Sequence, residues 1–207
     1  MKNPFGAAAR ADRWYTAKSR MMEEILGKEH DMVMHAIIPY AVGGGLDLYY
    51  YPNGVSGAGV ATKELSDLPG KGSKNRELAS YELVMFTRHA INLDEAREEQ
   101  SDFGKAHSTI NSILNRMAPY SEQASLNKFE TCEFPSDMER VGGKCLIFDT
   151  YGKRTHGLGK TFGVLVVIEI FRTEMEFARA NGGAALLEKL REKKFYPYSD
   201  MDREPVV

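Results

Sequence analysis

Apolar residues recur at helical spacing in four parts of the chain. Trp14, Ala17, Met21 and Ile25 form one stripe among polar residues and predict an amphipathic helix that Gly27 ends. Phe103, His107, Ile110, Leu114 and Met117 form a second, with Ser101 or Asp102 available as its cap and Pro119 expected to close it. Thr173 and Glu176 read as a capping box for a third helix, which should break at Asn181-Gly182-Gly183. Leu186, Leu187 and Leu190 then carry a short fourth helix to about Lys194. Elsewhere the period drops to two. Met32 to Tyr40 is apolar on both alternating faces, as in a covered strand. Leu46, Leu48 and Tyr50 alternate with Asp47, Tyr49 and Tyr51, and further strands are predicted at Val60–Leu65, Tyr81–Thr87, Lys144–Thr150 and Val164–Phe171. The order is helix, four strands, helix, two strands, two helices. Such an order predicts an α+β fold, a mixed and mostly antiparallel sheet with helices packed on it. It is expected to form one domain over residues 1–207, in which 152–207 make a closing strand–helix unit. Pro69 to Leu78 and Gly152 to Lys160 read as flexible loops.

Composition narrows the function classes. At 207 residues, 43% hydrophobic and 27% charged, the chain can bury a sizeable core without crosslinks. A net charge of -2 argues against nucleic acid, whose phosphates need a basic surface. The longest apolar run, Phe162 to Phe171, is interrupted by Gly163 and Glu169 and is too short to span a membrane. The N-terminal segment lacks the apolar core of a signal peptide. With only Cys132 and Cys145 and no CxxC, the expectation is two reduced thiols in a cytoplasmic protein.

The motifs that suggest chemistry lack its context. Gly54-Val55-Ser56-Gly57-Ala58 approaches a nucleophile elbow, but a strand follows where a helix is required. Pro52-Asn53-Gly54 instead supplies a hairpin turn. Gly157-Leu158-Gly159-Lys160-Thr161 resembles the end of a phosphate loop, yet Arg154 stands where its first glycine belongs and a β-branched run follows. The five histidines show no metal-ligand spacing, and His107, on an apolar helix face, reads as a core or boundary residue. Cys145 reads as a small buried hydrophobe, and Cys132, between Glu130 and Glu133, as a poor nucleophile. The residues call for no metal and no cofactor. One enzymatic alternative remains, a hydrolase or transferase using Asp149, His156 and Lys160 around Gly152. Tyr49 and Tyr51, with Asp47 beside them, make either a partner-binding face or the floor under the first helix. An exposed edge strand would offer a third route, the addition of a peptide strand.

Three segments together resemble the Suppressor of fused-like family. They are LDLYYYP with VATKELSDLPGKGSKNRELASYELVMF, then KTFGVLVVIEIFRTEMEFARANGGAALLEKLR, then YPYSDMDREPVV. In the last, Asp200, Met201 and Arg203 match the family's closing segment, and Asp67 matches a position in the "LSDL" turn. Glu64 departs from the glycine that often precedes Leu-Ser there. What the resemblance implies is a binding protein rather than a catalyst. The animal member clamps a peptide of zinc-finger transcription factors between two domains, and this chain resembles the first of them. Free-standing bacterial versions include proteins that resemble toxin-immunity proteins. The expected partner is therefore a protein or peptide, a toxin domain among the candidates, with Tyr49, Tyr51, Asp67, Asp200 and Arg203 as candidate binding residues. Asp200 and Arg203 are alternatively a pair that pins the tail.

Overall fold

The computed structural model describes residues 4–68, 70–96, 98, 100–157 and 159–207, with side chains from residue 8 onward. Pro69 of the predicted loop and Leu158 of the glycine-rich turn lie outside the described residues. The elements are α1 (Pro4–Leu26), β1 (Val33–Met34), β2 (Leu48–Tyr51), β3 (Ala58–Ala61), β4 (Ser80–Thr87), α2 (Asp102–Gln123), β5 (Thr131–Glu133), β6 (Cys145–His156), β7 (Lys160–Ile170), α3 (Arg172–Asn181) and α4 (Gly183–Glu192). Among the described residues the strands form one sheet in the order β1-β2-β3-β4-β7-β6-β5. Only β4 and β7 run parallel; the other neighbours are antiparallel. The fold is α+β, with helices on both faces of a mixed sheet.

Side-chain alternation sorts the core into two layers. Tyr49, Tyr51, Val84, Phe86, Val164 and Val166 pack with Trp14 and Met22 of α1 and with α3 and α4. Leu48, Tyr50, Leu83, Met85, Leu165 and Val167 pack with Ile110, Leu114 and Met117 of α2. The central strands are apolar on both sides because both faces are covered.

A buried polar knot ties α1 to the sheet. Glu82, fully buried on β4, accepts hydrogen bonds from Thr62 Oγ1 (2.7 Å), Leu65 N (3.1 Å), Ser66 N (3.0 Å) and Ser66 Oγ (2.6 Å). Lys18 of α1 reaches in to donate to Glu82 Oε1 at 3.0 Å and to the carbonyls of Lys63 and Ser66. Trp14 Nε1 donates to Ser66 O at 2.6 Å. The Leu65-Ser66-Asp67-Leu68 turn is thus wound around the Glu82 carboxylate. At the end of α1, Gly27 adopts φ 87° and crosses the β2–β3 turn so closely that a Cβ on Gly54 would overlap the Leu26 carbonyl. The Pro52-Gly54 stretch is a hairpin corner, since β2 and β3 pair antiparallel across it.

Several boundaries differ from those expected. Of Met32–Tyr40, only Val33 and Met34 pair in the sheet. Pro39 has no N–H for a ladder, and it opens a 3-10 helix, Tyr40–Val42, that Gly43 ends with φ 88°. Asp47 also competes with the ladder, its carboxylate accepting from Ala36 N at 2.9 Å and facing His35 Nδ1 at 2.7 Å. Pro119 does not end α2, which continues to Gln123 because Met117, Ala118 and Ser121 are buried on either side of the exposed proline. The α3 cap lies two residues earlier than predicted: Phe171 is the cap, and its N–H donates to Glu174 Oε2 at 2.9 Å. Residues 152–157 and 159–160 of the expected loop instead extend β6 and β7 into a long hairpin, with Gly157 and Gly159 at its turn. The short strand β5 was not anticipated.

Candidate functional site

The parallel pair sets up the site. β4 and β7 are hydrogen-bonded from Ser80↔Phe162 to Val84↔Val166 and then part. Beyond β4 the chain leads to α2 on one face; beyond β7 it turns into α3 on the other. Strands that part in this way leave a crevice at their carboxyl ends, the position where open sheets tend to bind ligands. The C-terminal tail wedges into the upper part of the gap. Ser199 N donates to Phe86 O at 2.8 Å, and Ser199 Oγ donates to Val167 O at 3.1 Å while accepting from Glu169 N at 3.4 Å. Between the tail, α2 and the end of β7 lies a cleft of about 490 Å³.

Charge dominates the lining. Four carboxylates, Asp102, Glu169, Asp200 and Asp202, face it against Lys105, Lys144 and His89. Glu169 is 4% exposed; its Oε1 accepts from Lys144 Nζ at 2.6 Å, while its Oε2 has no hydrogen-bond partner. Burial raises the Glu169 carboxyl above its ordinary range, and the nearby Lys144 offsets only part of that. Asp200 is saturated: it accepts from Thr87 Oγ1 (2.6 Å), Arg88 N (2.7 Å) and Arg88 Nε (3.3 Å). Asp202 pairs with Arg88 Nη2 at 2.7 Å. No group of three His, Cys, Asp or Glu side chains placed to hold a metal occurs among the described residues.

The residues singled out in the sequence are scattered. Tyr49 and Tyr51 are buried on the face that carries α1, not displayed on a surface. Tyr51 OH donates to Glu29 Oε2 at 2.8 Å, and the Lys63 ammonium lies 4.6 Å from the Tyr49 ring centre. Asp67 is exposed on its turn. Asp200 and Arg203 do not pair with each other. Each pins the tail to a different element: Asp200 to the end of β4, and Arg203 to Glu174 of α3 through Nη1 (2.6 Å) and Nη2 (2.8 Å), both side chains buried.

Asp149, His156 and Lys160 form no site. Asp149 binds Arg191 Nη2 at 2.6 Å and Tyr196 OH at 3.1 Å. His156 lies seven residues further along β6, roughly 23 Å away at strand spacing, and packs on Trp14 with ring centres 4.7 Å apart. His107 is a core histidine, its Nε2 2.9 Å from Tyr50 OH and its Nδ1 3.1 Å from Ala96 O, and burial lowers its pKa. Cys132 lies opposite Leu146, and Cys145 opposite Glu133, so the two thiols point to opposite faces of the sheet and remain free. Burial is the main reason the Cys132 thiol is raised, with Glu133 a smaller one.

Of the charged cleft residues only Asp200 was singled out in the sequence, and one further signal was available there. Glu169 is the only charge within the apolar run 162–171, and a charge in a doubly covered strand needs a reason. Lys144, Lys105 and His89 carry no such mark, because lysines occur throughout the chain and the histidines show no ligand spacing.

Among the described residues, an open mixed sheet with one parallel pair of strands, one helix on one face and three on the other defines the architectural class. More narrowly, the chain has the Suppressor of fused-like fold. It is similar over 95% of its length to 92% of a chain in a crystal structure of the Sufu–Fu complex, with TM-score 0.59 and 16% identity. It is similar also to Drosophila Suppressor of Fused (TM-score 0.60, 17% identity, 93% of this chain), of which it spans 50%. A Suppressor of fused homologue from Neisseria gonorrhoeae matches 94% of this chain over 98% of its own, with TM-score 0.53 and 14% identity. No family model matches the sequence, and no curated protein does.

Proposed function

We propose that this chain is a non-enzymatic protein-binding module of the Suppressor of fused-like family, working in the cytoplasm of a bacterium as a toxin-immunity or regulatory protein. The observation that carries the reading is the loop between β1 and β2. Met32, Ile37, Ile38 and Val42 are 57%, 102%, 58% and 74% exposed within eleven residues, a density of apolar surface that soluble proteins reserve for contacts. Acidic residues lie beside it at Tyr40. Tyr40 OH donates to Glu122 Oε1 at 2.9 Å, and after burial it is Glu122, Glu64 and Asp67 that raise the Tyr40 phenol. An apolar patch with an acidic rim suits a partner that presents an apolar stripe flanked by basic residues. Asp67 keeps its place in the candidate interface as part of that rim, whereas Tyr49 and Tyr51 lie buried under α1, in the core layer opposite to the one Tyr40 packs on.

Two further observations favour this reading. One neighbour in fold is a protein crystallised in a complex with another protein. The enzymatic alternative lacks convergent groups around residues 149–160. Strand addition is a weaker route, because the sheet edges β1 and β5 are only two and three residues long. No helix among the described residues is long and apolar enough to cross a membrane.

The test is to co-purify the chain with the product of its adjacent gene and measure the affinity by calorimetry. The expected result is a complex that Ile37→Asp with Ile38→Asp weakens at least a hundredfold while the melting temperature is kept. Failure to bind the neighbouring product would remove the immunity reading. Full affinity in the double variant would remove the loop as the interface.

A further inference from the structure

The loop leaves the cleft at the ends of β4 and β7 unexplained. Its volume lies within the range of small-ligand pockets, and its lining divides into two kinds. Ala106, Ile110 and Met201 are apolar, while Glu169 brings a buried carboxylate whose second oxygen has no donor. A buried carboxylate oxygen without a donor is costly, and the cost falls when a charged donor arrives. Lys144 is engaged on the other oxygen, and Lys105 stands exposed on α2. Asp200 and Asp202 are paired with Arg88 and Glu169 with Lys144, and with Lys105 counted against Asp102 one negative charge remains in excess, so the cleft favours a cation over an anion.

We propose that this cleft binds a primary alkylammonium group, its charge paired with the Glu169 carboxylate once a rotation of that side chain opens the solvent-closed Oε2, and its carbon chain lying against Ala106, Ile110 and Met201. Such a group comes either as a free small amine or as the lysine side chain of a peptide. The proposal does not depend on the protein-binding reading: the cleft and the β1–β2 loop are separate features, and either can fail alone.

The experiment is an NMR titration of the full isotope-labelled chain at low ionic strength with three probes, n-butylamine hydrochloride, Nα-acetyl-lysine methylamide and Nα-acetyl-norleucine methylamide. Saturable shifts at Glu169, Ser199 and Ala106 are expected for the first two and not for the third. Glu169→Gln keeps the shape and should weaken both at least tenfold. Ala106→Phe, at a half-exposed helix position, should block the cleft without touching the ion pair. Tighter binding of the lysine amide assigns the site to a peptide lysine, and tighter binding of butylamine assigns it to a free amine. The idea is overturned by shifts absent from the cleft, by equal binding of norleucine, or by affinity unchanged in both folded variants.

Discussion

Replacing Lys18 with methionine tests the reason α1 is held to the sheet. Lys18 and Glu82 are 2% and 0% exposed at their side chains, so neither charge can be recovered by water. Breaking a buried pair by removing one partner costs about 3–5 kcal/mol. Two features place this case near the lower end. Methionine retains the buried stem, and Glu82 keeps four other donors, from Thr62, Leu65 and Ser66. The Ser66 carbonyl also keeps Trp14 Nε1, while the Lys63 carbonyl loses the ammonium. About 3 kcal/mol should lower the melting midpoint by roughly 10 °C in a chain of this size. Glu82→Gln should cost at least as much, because donors converge on both carboxylate oxygens and an amide NH₂ must meet one set of them. The double variant should show a coupling of about 2 kcal/mol. Urea unfolding is the assay, followed by fluorescence of Trp14, the single tryptophan, which contacts Ser66 beside the pair. If Lys18→Met stays within about 0.5 kcal/mol of the parent at an unchanged m-value, the pair is not what fastens the helix.

Other consequences follow from separate parts of the fold. His107 has a lowered pKa, so the folded state disfavours a proton that the unfolded chain accepts; stability should fall as pH drops below about 6.5, and His107→Gln should flatten that slope in urea titrations. His156 adds to the same slope, whereas the raised Glu169 acts with the opposite sign, so the comparison is between variant and parent at each pH. Gly54→Ala should cost several times the roughly 1–2 kcal/mol of left-handed strain expected for Gly43→Ala, since only the former drives a Cβ into the Leu26 carbonyl; thermal melts compare them. Arg203→Lys should release the tail, because one ammonium cannot replace two guanidinium bonds to Glu174; faster hydrogen exchange at 199–206 and the start of α3 is the readout, and unchanged exchange would dismiss the clamp.

Much of the architecture was written in periodicity. The Phe103–Met117 stripe and the Leu46–Tyr51 alternation each point as the pattern demanded, because their faces meet a deep core that leaves no choice of register. The failures share a cause: local chemistry overruled hydrophobicity, or packing overruled local chemistry. Pro39 and Asp47 dissolved a strand that looked covered, and the buried neighbours of Pro119 carried α2 past its expected end. The strings that resemble the Suppressor of fused-like family prove to be structural clamps here. Glu82 organises the Leu-Ser-Asp-Leu turn, Glu174 caps α3 and holds Arg203, and Asp200 closes the end of β4. Resemblance therefore located the fold, and most of the residues it singled out hold that fold together. The cleft stayed hidden because its lining comes from α2, β7 and the tail, distant in sequence and joined only where two parallel strands part.

Hydrogen exchange of the chain alone and in complex with its purified partner tests the central claim most directly. Slowed exchange across residues 32–47 and at 64–68 is the predicted footprint. Protection confined to other elements, with the β1–β2 loop exchanging as fast as in the free chain, would contradict it.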